Sequence, residues 1–212
     1  MSNGFASLGY NCEAAFQFRR ILGHDVSSYF NWTYNKPQSV IKLIRNDFAD
    51  MLLPDRIAPT GIMIWESGYD ISYHGDIFNK SDNGKDKASF DLHYNDLAGK
   101  MAFLRQKWLD TTASNDHTTY YLKLKEESGA PRPRTQAVRV RDALREAYPD
   151  HSFLIVAIMS LEQSQREPDW VEPQIINRYL SAFAPDSSPQ DGNVEEWDQI
   201  FEEFPIVESV RG

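Results

Sequence analysis

Cys12 is the only cysteine among the 212 residues, and it stands where a thiol can become a nucleophile. Gly4 to Leu8 reads as a short buried strand, Gly9 as a turn, and Asn11 as the cap of a helix reaching about Leu22. That places Cys12 at the first helical position. Unpaired backbone N–H groups and the positive end of the helix dipole stabilise a thiolate there, lowering the thiol pKa from its free value of about 8.5. The N–H groups of the Tyr10–Cys12 turn can also receive an oxyanion, so Tyr10 and Asn11 are expected to touch substrate. Glu13 opposes the thiolate if it points the same way. The plainer alternative is a buried structural cysteine, the common state of a lone thiol.

A thiol nucleophile needs a base, and the chain has 5 histidines. His151, in a Tyr-Pro-Asp-His turn, and His117, in a Ser-Asn-Asp-His loop, are expected at the surface. His24 follows the wrong end of the first helix. His74 leaves the Tyr69–Tyr73 run beside Gly75, and Asp76 is close enough in sequence to orient it. His93 is the runner-up. Without Cys12, His74 would read as an ordinary loop histidine.

These residues must be carried by something, and the pattern suggests alternating strands and helices. Pro37 opens a second helix, with Val40, Ile44, Phe48 and Met51 inward. Ile62 to Trp65 and Tyr69 to Tyr73 form a hairpin or two separate strands. Residues 79–89 read as an exposed loop. Leu97, Met101, Leu104 and Trp108 mark an amphipathic helix. Thr119 to Leu124 is a strand, and a helix follows from about Thr135 to Tyr148. Phe153 to Met159, apolar throughout, is the candidate central strand. Two further helices are expected, one after Pro173 with Ile176, Tyr179 and Phe183 inward, the other carrying Val194, Trp197, Phe201 and Phe204. The expected architecture is a single α/β domain over residues 1–212, with a mostly parallel central sheet and helices on both faces. Such sheets place ligands at the carboxyl ends of their strands. Cys12, His74, Glu126, Ser160 and Glu162 all follow strands, which makes Ser160 a further substrate-contact candidate.

Composition bounds the partners. A formal net charge of -9 repels phosphate backbones and anionic lipid, so neither nucleic acid nor membrane is an expected partner. No apolar run approaches the roughly 20 residues that span a bilayer, and no signal peptide is evident, so a cytoplasmic location is expected. A lone thiol fits a reducing compartment. No phosphate loop, dinucleotide fingerprint or metal-ligand spacing is present, so no cofactor or metal is expected. Arg132, Arg134, Arg139, Arg141 and Arg145 read as a solvated helix face, and Tyr29-Phe-Asn-Trp-Thr-Tyr34 as core.

Phe5-Ala-Ser-Leu-Gly-Tyr-Asn-Cys12, Ser28-Tyr-Phe-Asn-Trp32, and a helix ending in Asn46-Asp-Phe48 together resemble a bacterial family of papain-like cysteine peptidases. That family shows a Ser-Leu-Gly-x-x-Cys opening, a Phe-Asp-Trp element and a downstream His-Asp pair. The resemblance covers residues 5–48 and weakens through Asp76. It implies Cys12 as nucleophile, His74 as base, and Asn31 or Asp76 as the orienting group. Here Asn31 replaces the family's acid, and Gly75 separates His74 from Asp76. Asn serves that role in Cys-His-Asn systems. The expected activity is a thiol hydrolase or acyl transferase acting on a peptide or a small molecule. The competing expectation is a non-catalytic module that binds a small anion or sugar at the strand ends.

Overall fold

The computed structural model describes residues 3–60, 63–74 and 87–206. In chain order the elements are β1 (Asn3–Ser7), α1 (Glu13–Leu22), β2 (Thr33–Asn35), α2 (Pro37–Arg45), β3 (Ile57–Thr60), β4 (Met63–Glu66) and β5 (Ile71–His74). There follow α3 (Lys87–Ala113), β6 (His117–Lys123), α4 (Pro133–Ala147), β7 (Phe153–Ser160), β8 (Ile175–Leu180) and α5 (Val194–Glu203). The chain is α/β, with one parallel four-stranded sheet and one antiparallel four-stranded sheet.

The parallel sheet has the order β1-β6-β7-β8. β7 lies inside it, and every residue of the strand except the half-buried Leu154 is buried. A run with no polar position on either side of the pleat requires cover on both. Its alternate residues divide accordingly. Ile155, Ala157 and Met159 join a cluster that includes Ala137, Val140 and Leu144 of α4. Val156 and Ile158 join another that includes Phe18 of α1 and Trp197 and Phe201 of α5.

β8 corrects the helix expected after Pro173. Ile176, Tyr179 and Phe183 have helical spacing, but the segment is short and β-branched at its start. It pairs along β7 from Ile155↔Ile175 to Ser160↔Leu180, satisfying a strand edge that would otherwise be open.

The antiparallel sheet, ordered β2-β5-β4-β3, corrects the placement of His74. Its strand belongs to this second sheet and not to the parallel one. β2 and β3 are three and four residues long, too short to show a period-2 pattern in the sequence. Asn35 N–H donates to Tyr10 O at 3.0 Å, forming an isolated bridge that fastens the antiparallel sheet to the exit of β1.

Two histidine expectations change. His151 is buried, with Nε2 3.0 Å from the Tyr120 hydroxyl and its ring stacked on Phe153. His117 opens β6 and is half-buried, with Nδ1 2.8 Å from Ser152 Oγ. Of the loop expected over 79–89, residues from Lys87 onward belong to α3, and the rest lies outside the described residues. Among the described residues no helix is long and apolar enough to cross a membrane.

Candidate active site

Cys12 and His74, 62 positions apart in sequence, meet with Sγ 3.2 Å from Nε2. The approach is assembled in three steps. Gly9, at φ +94°, turns the chain out of β1. Tyr10 then pairs with Asn35 of β2, and β2 pairs with β5 through Thr33↔Tyr73 and Asn35↔Ile71. His74, the next residue along β5, is thereby carried to the thiol.

Cys12 is the N-cap of α1, one position earlier than expected, and its carbonyl accepts from Phe16 N–H at 2.9 Å. Asn11 contributes one turn before that, where Oδ1 accepts from Glu13 N–H at 3.2 Å. Among the described residues, the backbone N–H groups of Asn11 and Cys12 meet no hydrogen-bond acceptor.

The thiol is 3% exposed. Burial pushes its pKa up to about 11, against which the positive charge of Lys123 pulls downward. This reverses the direction expected from the helix terminus, because the desolvation cost of a buried anion exceeds the dipole's stabilisation. His74 has an exposed edge, but where its ring meets the protein desolvation lowers its pKa, and the charge of Lys100 adds to the effect. Both shifts favour uncharged forms. The resting pair is a thiol beside a neutral imidazole, in hydrogen-bond reach through Nε2.

Glu13 does not oppose a thiolate. Its carboxylate is fully buried and turned towards Lys123 Nζ, Trp197 Nε1 (3.0 Å) and Ala184 N–H (3.2 Å). Among the described residues Asn31 makes no hydrogen bond to His74. Its Oδ1 accepts from Ser7 N–H at 2.9 Å and its Nδ2 donates to Val26 O at 2.8 Å, so it fastens β1 to the loop ahead of β2. Asp76 lies outside the described residues, as does the side chain of His93, whose backbone belongs to α3.

Tyr10 sits close to Cys12 in sequence and lines a cleft of about 50 Å³ with Lys36, Gln38, Lys125, Glu127 and Gln136. Its hydroxyl donates to Glu127 Oε1 at 3.3 Å and accepts from Tyr34 at 2.9 Å. Ser160 is buried at the end of β7, where Oγ accepts from Glu162 N–H at 3.2 Å. With β6 between β1 and β7, Ser160 caps its own strand end and makes no bond to the Cys12–His74 pair. Glu126 and Glu162 are exposed. Among the described residues no group of three or more His, Cys, Asp or Glu could hold a metal.

Sequence reasoning missed Lys123. The signal was present: Tyr121 and Lys123 share one face of β6, and a lysine two places from a buried tyrosine needs an inward acid. Glu13, flanked by Cys12, Ala14 and Ala15 on an otherwise apolar helix face, supplies it.

Compared with protein-family models, with curated proteins and with solved structures, the chain matches none.

Proposed function

We propose that the chain is a thiol-dependent acyl hydrolase or transferase of the papain-like cysteine peptidase kind. In this reading Cys12 is the nucleophile and His74 the general base. The observation that carries it is the 3.2 Å contact between Sγ and Nε2, which joins the N-cap of α1 to the end of β5. Nucleophile and base within hydrogen-bond reach is the geometry such chemistry requires.

The chemistry follows from the uncharged resting pair. As Sγ attacks an amide or ester carbonyl, the S–C bond forms and the thiol proton passes to His74 Nε2. The carbonyl oxygen gains the negative charge, for which the N–H groups of Asn11 and Cys12 are the nearest donors. The imidazolium returns its proton to the leaving amine or alcohol, and water or another acceptor resolves the thioester. The cleft lined by Tyr10, two positions before the nucleophile in sequence, is the recess in which a substrate group could sit. One α/β domain with helices on both faces of its parallel sheet is the matching architecture, supported by the two clusters that share β7.

The burial of the thiol favours a second reading, a binding module in which Cys12 is an inert hydrogen-bond donor. Exposure to p-nitrophenyl acetate separates the two. A nucleophilic Cys12 acquires one acetyl group, located by mass spectrometry at the sole thiol, and His74→Ala slows acylation by about 10²–10⁴-fold. No adduct on the folded protein, or a rate indifferent to His74, leaves the binding module.

A further inference from the structure

β6 ends in a lysine with almost no contact with water. Lys123 is 1% exposed and Glu13 is fully buried, and the two form an ion pair. Lys123 Nζ also donates to Asn11 Oδ1 at 3.0 Å and lies 4.4 Å from the centroid of Phe183. The cluster extends outward: Asn11 Nδ2 donates to Asp186 Oδ1 at 3.0 Å, and Lys125 Nζ reaches both Asp186 oxygens at 2.9 Å. The two residues gripped by Lys123 are those on either side of the nucleophile.

An arrangement of this kind does little for stability. Removing two charges from water costs several kcal/mol per ion, and an apolar pair of the same volume is often as stable. What the pair supplies is position and charge. Lys123 grips Asn11 Oδ1 and the Glu13 carboxylate, which fixes the turn between them and sets an ammonium against both neighbours of a thiol that must become anionic at the moment of attack.

We propose that Lys123 is a positioning residue for the Cys12 reaction: its ammonium locks the turn that carries the thiol and stabilises the thiolate as it forms. The charged and titratable groups around Cys12 assign this role to Lys123. Glu13, on α1, is turned towards Lys123, α5 and the loop that follows β8. Asp186 is engaged by Lys125 and Asn11. His74, on β5, is the neutral acceptor for the thiol proton, and Lys100, on α3, acts on His74. Lys123 is the charge that pulls the thiol pKa downward.

The inference rests on Cys12 being a working thiol, and the experiment keeps the two claims apart. The rate of iodoacetamide alkylation is followed from neutral to mildly alkaline pH, read by mass at the only cysteine. Lys123→Met alone leaves a buried carboxylate unpaired and is prone to unfold. The informative variant is therefore Glu13→Gln with Lys123→Met, which removes both charges together; the amide oxygen still accepts from Trp197 Nε1 or Ala184 N–H, and the backbone N–H at position 13 still donates to Asn11 Oδ1. At a fixed pH it should alkylate at least about tenfold more slowly than the parent, because a nearby opposite charge shifts a pKa by about one unit or more. Glu13→Gln alone leaves the ammonium in place and should hold or raise the parent rate at neutral pH. If both variants slow equally, or neither changes, Lys123 is only structural while the nucleophile reading stands. A thiol inert in the folded parent at every pH overturns both.

Discussion

At Gly9 an ideal Cβ would stand 2.2 Å from Asn35 Oδ1, in a backbone conformation that L side chains rarely adopt. Gly9→Ala therefore adds a clash and a left-handed strain at the bridge that brings the two sheets together. The expected cost is about 1–3 kcal/mol in a chemical melt, with slower acylation of Cys12 because His74 is no longer held against it. The pH response of the same chemistry follows from His74. A base must be neutral to accept the thiol proton, and desolvation lowers the imidazole pKa from 6.5. Acylation should stay level as pH falls through 6.5 and decline only below it; an inflection at or above 6.5 would contradict the desolvation account. Much of this pair was legible from the sequence, since a strand exit, a glycine and a helix start define the setting of Cys12. The protonation state was not legible, because a helix terminus is visible in a sequence and burial of the thiol is not. Asn31 misled for a related reason: an amide at a motif position can serve a base or two backbone groups, and only packing decides.

Long apolar runs were the elements most readable in advance. β7 had to be interior because every position is apolar up to Met159, and Ile155 has no exposed surface. Ile155→Ala should cost about 2–5 kcal/mol, as lost burial plus a residual cavity between β7 and α4. A calorimetric or denaturant melt without such a loss would show that the sheet can collapse around the site. Shorter elements escaped. β2 has three residues, yet it carries Asn35 to Tyr10 and aligns β5, so the strand with least signal places the base. β8 was readable as the wrong element, because a helix-like spacing of Ile176, Tyr179 and Phe183 competes with strand pairing. The open edge of β7 decides between them, and that edge exists only once the sheet has formed. Gly192 makes a similar point for loops. A Cβ there would meet Glu13 Oε1 at 2.7 Å, and the carboxylate is held by three donors and cannot retreat. Gly192→Ala should therefore destabilise the protein by about 1–3 kcal/mol and disturb the Lys123–Glu13 pair, visible as a changed alkylation rate of Cys12.

For the molecule as a whole, acid is the condition that should weaken it first, and His151 is a specific cause. The ring is buried between Tyr120 and Phe153, its Nδ1 meets no partner among the described residues, and desolvation with a smaller contribution from His117 lowers its pKa to about 4. An unfolded chain returns that histidine to an ordinary value near 6.5. Between about pH 6.5 and 4 the unfolded state therefore binds a proton that the folded state does not, and stability must fall as pH drops through that window. A shift of this size corresponds to up to about 3 kcal/mol, complete below the folded-state pKa. The loss belongs to the global equilibrium, because His151 sits against Tyr120 and Phe153 in the cluster shared by β6, β7 and α4. Denaturant midpoints measured across that range should decline steadily for the parent protein. His151→Gln still offers the Tyr120 hydroxyl an acceptor and cannot take up the proton, so its midpoint should change less with pH over the same interval. Parallel slopes for the two proteins would assign the acid response to other groups and remove His151 as its source.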